Sequence, residues 1–219
     1  MKSEKTIIFD LSEVIIRGII GIEYPLESIL QTDTSCIIPK FGGENLRNIC
    51  TGNISEEEYF DNIITTNDWN LSIGELKQIT RNNFDIKISG MPQFVCDLAR
   101  NNSLVLYSDH AKEWISYILN KHNFLDVFSH KVFSYEQNCL KSDDSAFPNL
   151  LKRLELKNSN VIFIDDNYVN VKNAESAGIY SFLFRDQLEL KNALSVYGID
   201  TQEHAGENKV KAHFTIAKD

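Results

Sequence analysis

Val161-Ile162-Phe163-Ile164 is apolar at every position. A strand with one wet face alternates apolar and polar residues. An uninterrupted run therefore reads as a strand covered on both faces, the situation of a parallel sheet between two layers of helices. The runs at 6–9, 103–107, 131–134 and 180–184 are similarly short and apolar, and the fourth strand is expected at 160–164. Helical spacing fills 111–122, 143–156 and 169–177 between the later runs. This alternation predicts an α/β fold: a Rossmann-like parallel five-stranded sheet with helices on both faces.

The interval between the first two runs is longer than a crossover needs. It too is helical in pattern. Ser55-Glu56-Glu57-Glu58 and Ser72-Ile73-Gly74-Glu75 fit the capping box, in which a Ser N-cap is answered by an acid three residues on. Tyr59, Phe60, Ile63 and Ile64 form an apolar stripe on one helix, Leu76, Ile79 and Phe84 on the next, and Met91-Pro92 opens a third. A helical-bundle cap inserted after the first strand is thus expected over 16–88. The α/β core takes 1–15 and 89–200, and 201–219 form a peripheral polar tail. A chain of 219 residues accommodates such a core and a smaller appended unit.

A formal charge of −9 argues against nucleic-acid or anionic-membrane partners, which need a basic face. It also means that binding a phosphorylated ligand requires local positive groups or a cation. Cys36, Cys50, Cys96 and Cys139 lie far apart without metal-ligand spacing and read as reduced thiols. Neither a signal-peptide pattern nor an apolar run near the roughly 20 residues of a membrane span is present, so a cytoplasmic location is expected. Oligomeric state is not written in any feature of the chain.

Ligands of open α/β sheets bind at the carboxyl ends of the strands. Asp10 follows the first run, Ser108 the second, Lys141 lies shortly after the third, and Asp165-Asp166 end the fourth. Each has an ordinary reading as well. Asp165-Asp166 could cap the helix near Val169, Ser108 could cap the helix over 111–122, and Lys141 could be a solvated lysine. Asp109-His110 reads as an acid–base pair or, equally, as an exposed loop pair. Co-occurrence at four strand ends in this order favours a site.

In that order these segments resemble the four motifs of the haloacid dehalogenase-like hydrolase superfamily, over most of the chain and including the helical insert where that family carries a cap. The most specific stretch is Asp165-Asp166, Asn170, Ala174 and Gly178-Ile179 at the family's spacing. The segment Gly52-Asn53-Ile54-Ser55-Glu56-Glu57-Glu58-Tyr59 is similar to the branch of sugar-phosphate phosphatases and the phosphatase domain of soluble epoxide hydrolases. The resemblance implies that Asp10 attacks phosphorus to form an aspartyl-phosphate. It further implies a Mg²⁺ cofactor held by Asp10, the backbone carbonyl of Ser12, Asp165 and Asp166. Ser108, Asp109 and Lys141 would bind the phosphoryl group, Ser108 through its hydroxyl and Lys141 as the charge that neutralises the transition state.

The chain departs from the family pattern at several positions. Ser12 stands where the phosphatases usually carry the Asp that protonates the leaving oxygen and later activates water, although some relatives have Gly there. General acid–base assistance is worth about 10²–10⁴-fold, so slower hydrolysis is expected. Asp109 replaces Asn or a small residue, Ser142 follows Lys141 in place of Pro, and Glu13 replaces Gly. The function expected is a Mg²⁺-dependent phosphatase of a small phosphorylated metabolite such as a sugar phosphate. The alternatives are a degenerate binding or regulatory protein and a phosphotransferase or mutase-like member. Dehalogenase chemistry is disfavoured by the acidic pair, and nothing singles out Lys40 or Lys77 as a Schiff-base lysine. Tyr24, Phe41, Trp69 and Gly42-Gly43 are candidate pocket elements of the cap, with core packing the preferred role of the aromatics.

Overall fold

Ile7, Ile8 and Phe9 have no exposed surface, because the strand they form, β1 (Thr6–Phe9), is the middle of five parallel strands. The computed structural model describes residues 5–201. The other strands are β2 (Ser103–Ser108), β3 (His130–Phe133), β4 (Val161–Asp165) and β5 (Tyr180–Leu183), in the order β3-β2-β1-β4-β5. Successive side chains of β1 serve opposite core layers. Ile7 and Phe9 pack with Leu104, Leu106, Ile162 and Ile164, while Ile8 packs with Val105, Tyr107 and Phe163 on the other face. Full burial of each such side chain is worth about 1.5–3 kcal/mol, so the centre of the sheet is well anchored.

Between β1 and β2 come α1 (Glu23–Leu30), α2 (Thr34–Ile37), α3 (Gly43–Cys50), α4 (Glu56–Thr66), α5 (Ile73–Asn83) and α6 (Met91–Leu98). Then α7 (Lys112–Lys121) joins β2 to β3, α8 (Ser134–Gln137) and α9 (Ala146–Arg153) lead to β4, and α10 (Tyr168–Ser176) joins β4 to β5. Finally, α11 (Gln187–Val196) follows β5. Both Ser-initiated helices start where the sequence places them. Ser72 and Glu75 make the complete reciprocal box on α5, while on α4 only the Ser55 hydroxyl accepts, from the Glu58 N–H.

The inserted helices pack on the core through α4 and α7. Tyr59 and Phe60 meet Trp114 at ring distances of 5.6 and 6.2 Å, and the indole N–H of Trp114 donates to Glu56 at 3.1 Å. Glu56 is buried, and its charge is met by Arg81 at 2.8 Å and Lys77 at 3.3 Å.

Two expectations change. The helix anticipated over 143–156 begins only at Ala146, because the Asp143 carboxylate accepts the Leu140 N–H and winds the preceding residues into a loop. Helix α11 was not anticipated, although Asp186 caps it by accepting the Glu189 N–H, an acid-for-serine version of the same start signal. Of the tail expected over 201–219, all but Thr201 lies outside the described residues. Among the described residues no helix is long and apolar enough to cross a membrane.

Candidate active site

Asp10 is the first residue beyond β1, and its N–H donates to the Ile164 carbonyl at 2.8 Å, extending the β1–β4 pairing by one step. This sets it beside Asp165, the last residue of β4, while Ser108 ends β2 on the other flank. Lys141 reaches in from the loop before α9. Only 2% of it is exposed, and its ammonium lies 2.6 Å from Asp10 Oδ1 and 2.5 Å from Asp165 Oδ2. Asp165 also accepts the Asn167 N–H at 2.8 Å and the Asn170 amide at 3.2 Å.

The loop that delivers Lys141 is itself pinned. Its backbone N–H donates to both oxygens of Asp109 at 3.1 Å, and its carbonyl accepts the Asn173 amide at 2.7 Å. Asn173 donates as well to the Asp143 carbonyl at 2.7 Å. Asp143 is held by Arg47 of α3 at 2.9 and 3.1 Å, which ties the inserted helices to this loop.

These contacts decide between the paired readings. Asn167, not Asp165 or Asp166, caps α10, and the N-cap position of α7 is Ala111, which offers no side-chain cap, so Ser108 has no capping role. Lys141 is not a solvated lysine. The Asp109-His110 pair is not an exposed loop either: His110 is buried, and Asp109 spends its carboxylate on the Lys141 backbone. The anion at 109 thus positions the Lys141 loop.

Burial raises the Asp10 carboxyl well above the ordinary aspartate range. Lys141 opposes the shift, and Asp165 and Asp166 add to it. Burial works against the Lys141 charge, yet the carboxylates of Asp10, Asp165 and Asp109 hold its pKa above the usual lysine value. Asp109 is lifted by burial to about 6 despite the Lys141 ammonium. His110 is pushed down by burial, and by Lys141, to about 3.

Lys141 pairs with two buried carboxylates, Asp10 and Asp165, and the exposed Asp166 can offer an oxygen within 4.8 Å of theirs. An excess of buried negative charge is costly without a further cation. Hard oxygen donors of this kind suit Mg²⁺. Beside them the Ser108 hydroxyl is buried and has no partner among the described residues, a polar group poised for a ligand oxygen. The residues therefore fit a divalent cation next to an anionic group.

Ser12 directs its hydroxyl to His110 Nε2 at 2.6 Å. Glu13, at φ 61°, turns the chain in the left-handed region. Its carboxylate accepts the Gly18 N–H at 2.8 Å and pairs with Lys87 at 2.8 Å, closing a flap over residues 13–18. A Cβ at Gly18 would come within 3.1 Å of Ser12, so glycine permits this close approach. Between flap, α3 and the core lies a cavity of about 310 Å³, lined by Ser12, Ile19, Leu46, Arg47, His110 and Trp114 among others.

Gly43 also borders it, whereas Phe41 is buried against Trp69 and Tyr24 faces solvent. Sequence reading overlooked Arg47 and Asn173 and set His110 aside. An acid loop with an unmatched lysine gave no local sign of either partner.

The profile of the haloacid dehalogenase-like hydrolase family matches residues 7–184. Among curated proteins no significant match is found. A HAD family enzyme from Bacteroides thetaiotaomicron superposes with a TM-score of 0.73 at 16% identity, covering 88% of this chain and 99% of that one. The same enzyme in complex with magnesium and inorganic phosphate gives 0.69 at 19%, over 86% and 99%. A predicted HAD-like hydrolase from Porphyromonas gingivalis gives 0.72 at 18% identity, over 90% and 98%. L-2-haloacid dehalogenase from Xanthobacter autotrophicus, with chloropropionic acid covalently bound, gives 0.64 at 14%, over 90% and 85%.

Proposed function

The chain belongs to the haloacid dehalogenase-like hydrolases, and on that premise we propose that it is a Mg²⁺-dependent phosphatase acting on a small phosphorylated metabolite through an aspartyl-phosphate on Asp10. One observation carries the reading: the cluster of Asp10, Asp165 and Asp166, the first two paired with buried Lys141, a donor set that displacement of halide has no need of. A magnesium and phosphate complex of a structural neighbour agrees with it.

Asp10 supplies the attacking oxygen, held at the strand end by its backbone bond to Ile164. Asp10, Asp165, Asp166 and the Ser12 carbonyl would hold Mg²⁺. When bound, the cation would offset phosphoryl charge and keep Asp10 ionised against its buried surroundings. Lys141 stabilises charge on the transferring group, and the Ser108 hydroxyl donates to one of its oxygens. Asp109 and Asn173 keep the Lys141 loop in register. Residues 16–88 act as the cap whose inner face, with Leu46 and Arg47, meets the leaving group.

Purified protein is expected to hydrolyse p-nitrophenyl phosphate with Mg²⁺. EDTA should abolish this, and Asp10→Asn should lower it by at least about 10³-fold. Inactivity across a broad phosphometabolite panel would overturn the reading. Chloride release from L-2-chloropropionate in EDTA would replace it with dehalogenation.

The missing carboxylate at Ser12 favours, as a second reading, a phosphotransferase with a long-lived phosphoenzyme. That protein would pass phosphate to an added alcohol or sugar and release little to water.

A further inference from the structure

We propose that the phosphomonoester taken by this site carries an apolar leaving group, an aryl or alkyl alcohol of up to about ten carbons, and not a sugar; this deepens the phosphatase reading above and rests on it. The cavity of about 310 Å³ begins where the phosphoryl site ends. Residues that line it are chain neighbours of the machinery: Leu140 adjoins Lys141, Asp109 adjoins Ser108, and Ser12 stands two residues beyond Asp10. A phosphoryl group at Ser108 and Lys141 therefore has this cavity as the space for the alcohol it is joined to.

The walls are largely carbon. Ile19 and Ile20 follow the flap, Leu46 comes from α3, Leu140 from the loop that delivers Lys141, and Trp114 from α7. The indole N–H of Trp114 donates to Glu56 at 3.1 Å, so its ring has only carbon left to offer.

The polar side chains of the lining are already spent. Glu13 gives one oxygen to the Gly18 N–H and the other to Lys87, each at 2.8 Å. Both oxygens of Asp109 accept the Lys141 N–H, and the Ser12 hydroxyl is engaged with His110 Nε2. Even the Gly18 carbonyl is taken, by the Asn83 amide at 2.7 Å. His110 Nδ1 has no partner among the described residues, but it is buried. Half-exposed Arg47 keeps N–H groups beyond those it gives to Asp143.

A sugar brings several hydroxyls, each of which leaves water on entry. With one guanidinium to receive them, most would lose water and gain no partner, which weakens binding. An apolar group gives up no hydrogen bond and covers the isoleucine, leucine and indole surfaces. Size sets the upper limit. A cavity of about 150 Å³ takes benzene, so one about twice as large takes a fused bicyclic ring or a chain of about eight to ten carbons.

Alkylphosphonates probe the cavity without reaction, because their carbon–phosphorus bond does not hydrolyse. The full chain with Mg²⁺ hydrolyses p-nitrophenyl phosphate as reporter. Inhibition constants are measured for inorganic phosphate, methyl-, butyl-, hexyl-, octyl- and decylphosphonate, and glucose-6-phosphate. They should fall about two- to fourfold with each added methylene and level off at about eight carbons. Glucose-6-phosphate should compete no better than inorganic phosphate. Leu46→Gln, which sets an amide in the wall, should flatten the gradient. Leu46→Phe, which fills space, should bring the levelling to shorter chains. If neither variant folds, the wild-type series decides alone.

Constants that do not fall with chain length, or glucose-6-phosphate competing better than hexylphosphonate, overturn the apolar substrate and leave the phosphatase reading standing. A gradient unchanged in both Leu46 variants places the chains outside the cavity and overturns it as well. If no phosphomonoester is hydrolysed, p-nitrophenyl phosphate included, the phosphatase reading falls, and the substrate class with it.

Discussion

At the scale of single residues the site is governed by one buried ammonium amid carboxylates. Lys141 can remain charged there only because Asp10 and Asp165 touch it, and removal of any partner would strand a charge. Asp109 shows the cost of adding another. Its carboxyl titrates at about 6 in the folded chain, above its ordinary value of 3.8, so between these pH values the folded state binds the extra proton. Stability contributed by the protonated form is therefore complete below about pH 4 and is lost as pH rises through about 6. In EDTA, Asp109→Asn should be more stable than wild type at pH 8 by on the order of 1–2 kcal/mol, once the shift is discounted for partial solvent screening. The difference should vanish near pH 4. Urea titrations of both proteins at the two pH values measure it, and a gap that grows toward pH 4 would reverse the sign. The sequence names Asp109 as an anomaly, but its acceptance of the Lys141 N–H depends on a loop 32 positions away in the chain.

At the scale of elements the flap after β1 shows local chemistry and tertiary support working against each other. Glu13 occupies a left-handed conformation that suits glycine, and two side-chain contacts, to Gly18 and Lys87, hold it there. Glu13→Ala removes the contacts and keeps the strain, whereas Glu13→Gly removes both. The glycine variant should be the more stable of the two by about 1 kcal/mol, read from urea midpoints. Equal stability would mean that the turn carries no strain. Helix starts were legible wherever a side chain answers its own neighbours, as at Ser72 and Glu75. The late start of α9 was not, because the Asp143 carboxylate that unwinds its first turn is engaged by Arg47 from another helix.

At the scale of the molecule, the inserted helices and the sheet are joined at Glu56, whose carboxylate serves Trp114, Arg81 and Lys77 together. Glu56→Ala strands these partners at a buried junction and should cost about 3 kcal/mol. Glu56→Gln keeps an acceptor for the indole and should cost less. Thermal melts order the three proteins, and a Gln variant as unstable as the Ala one would refute the role of the indole bond. The apolar runs of the sequence by themselves determined five strands with a buried centre, their parallel packing between helices, and acids delivered to strand ends. Each of these follows from the spacing of neighbouring residues. Tertiary structure alone decided that Lys141 is buried between Asp10 and Asp165, that Arg47 grips Asp143, and that His110 meets Ser12. Those partners lie on different elements, 98 positions apart in the case of Ser12 and His110. Local periodicity says which face of a strand is buried, but only the order of strands in the sheet fixes which ends become neighbours.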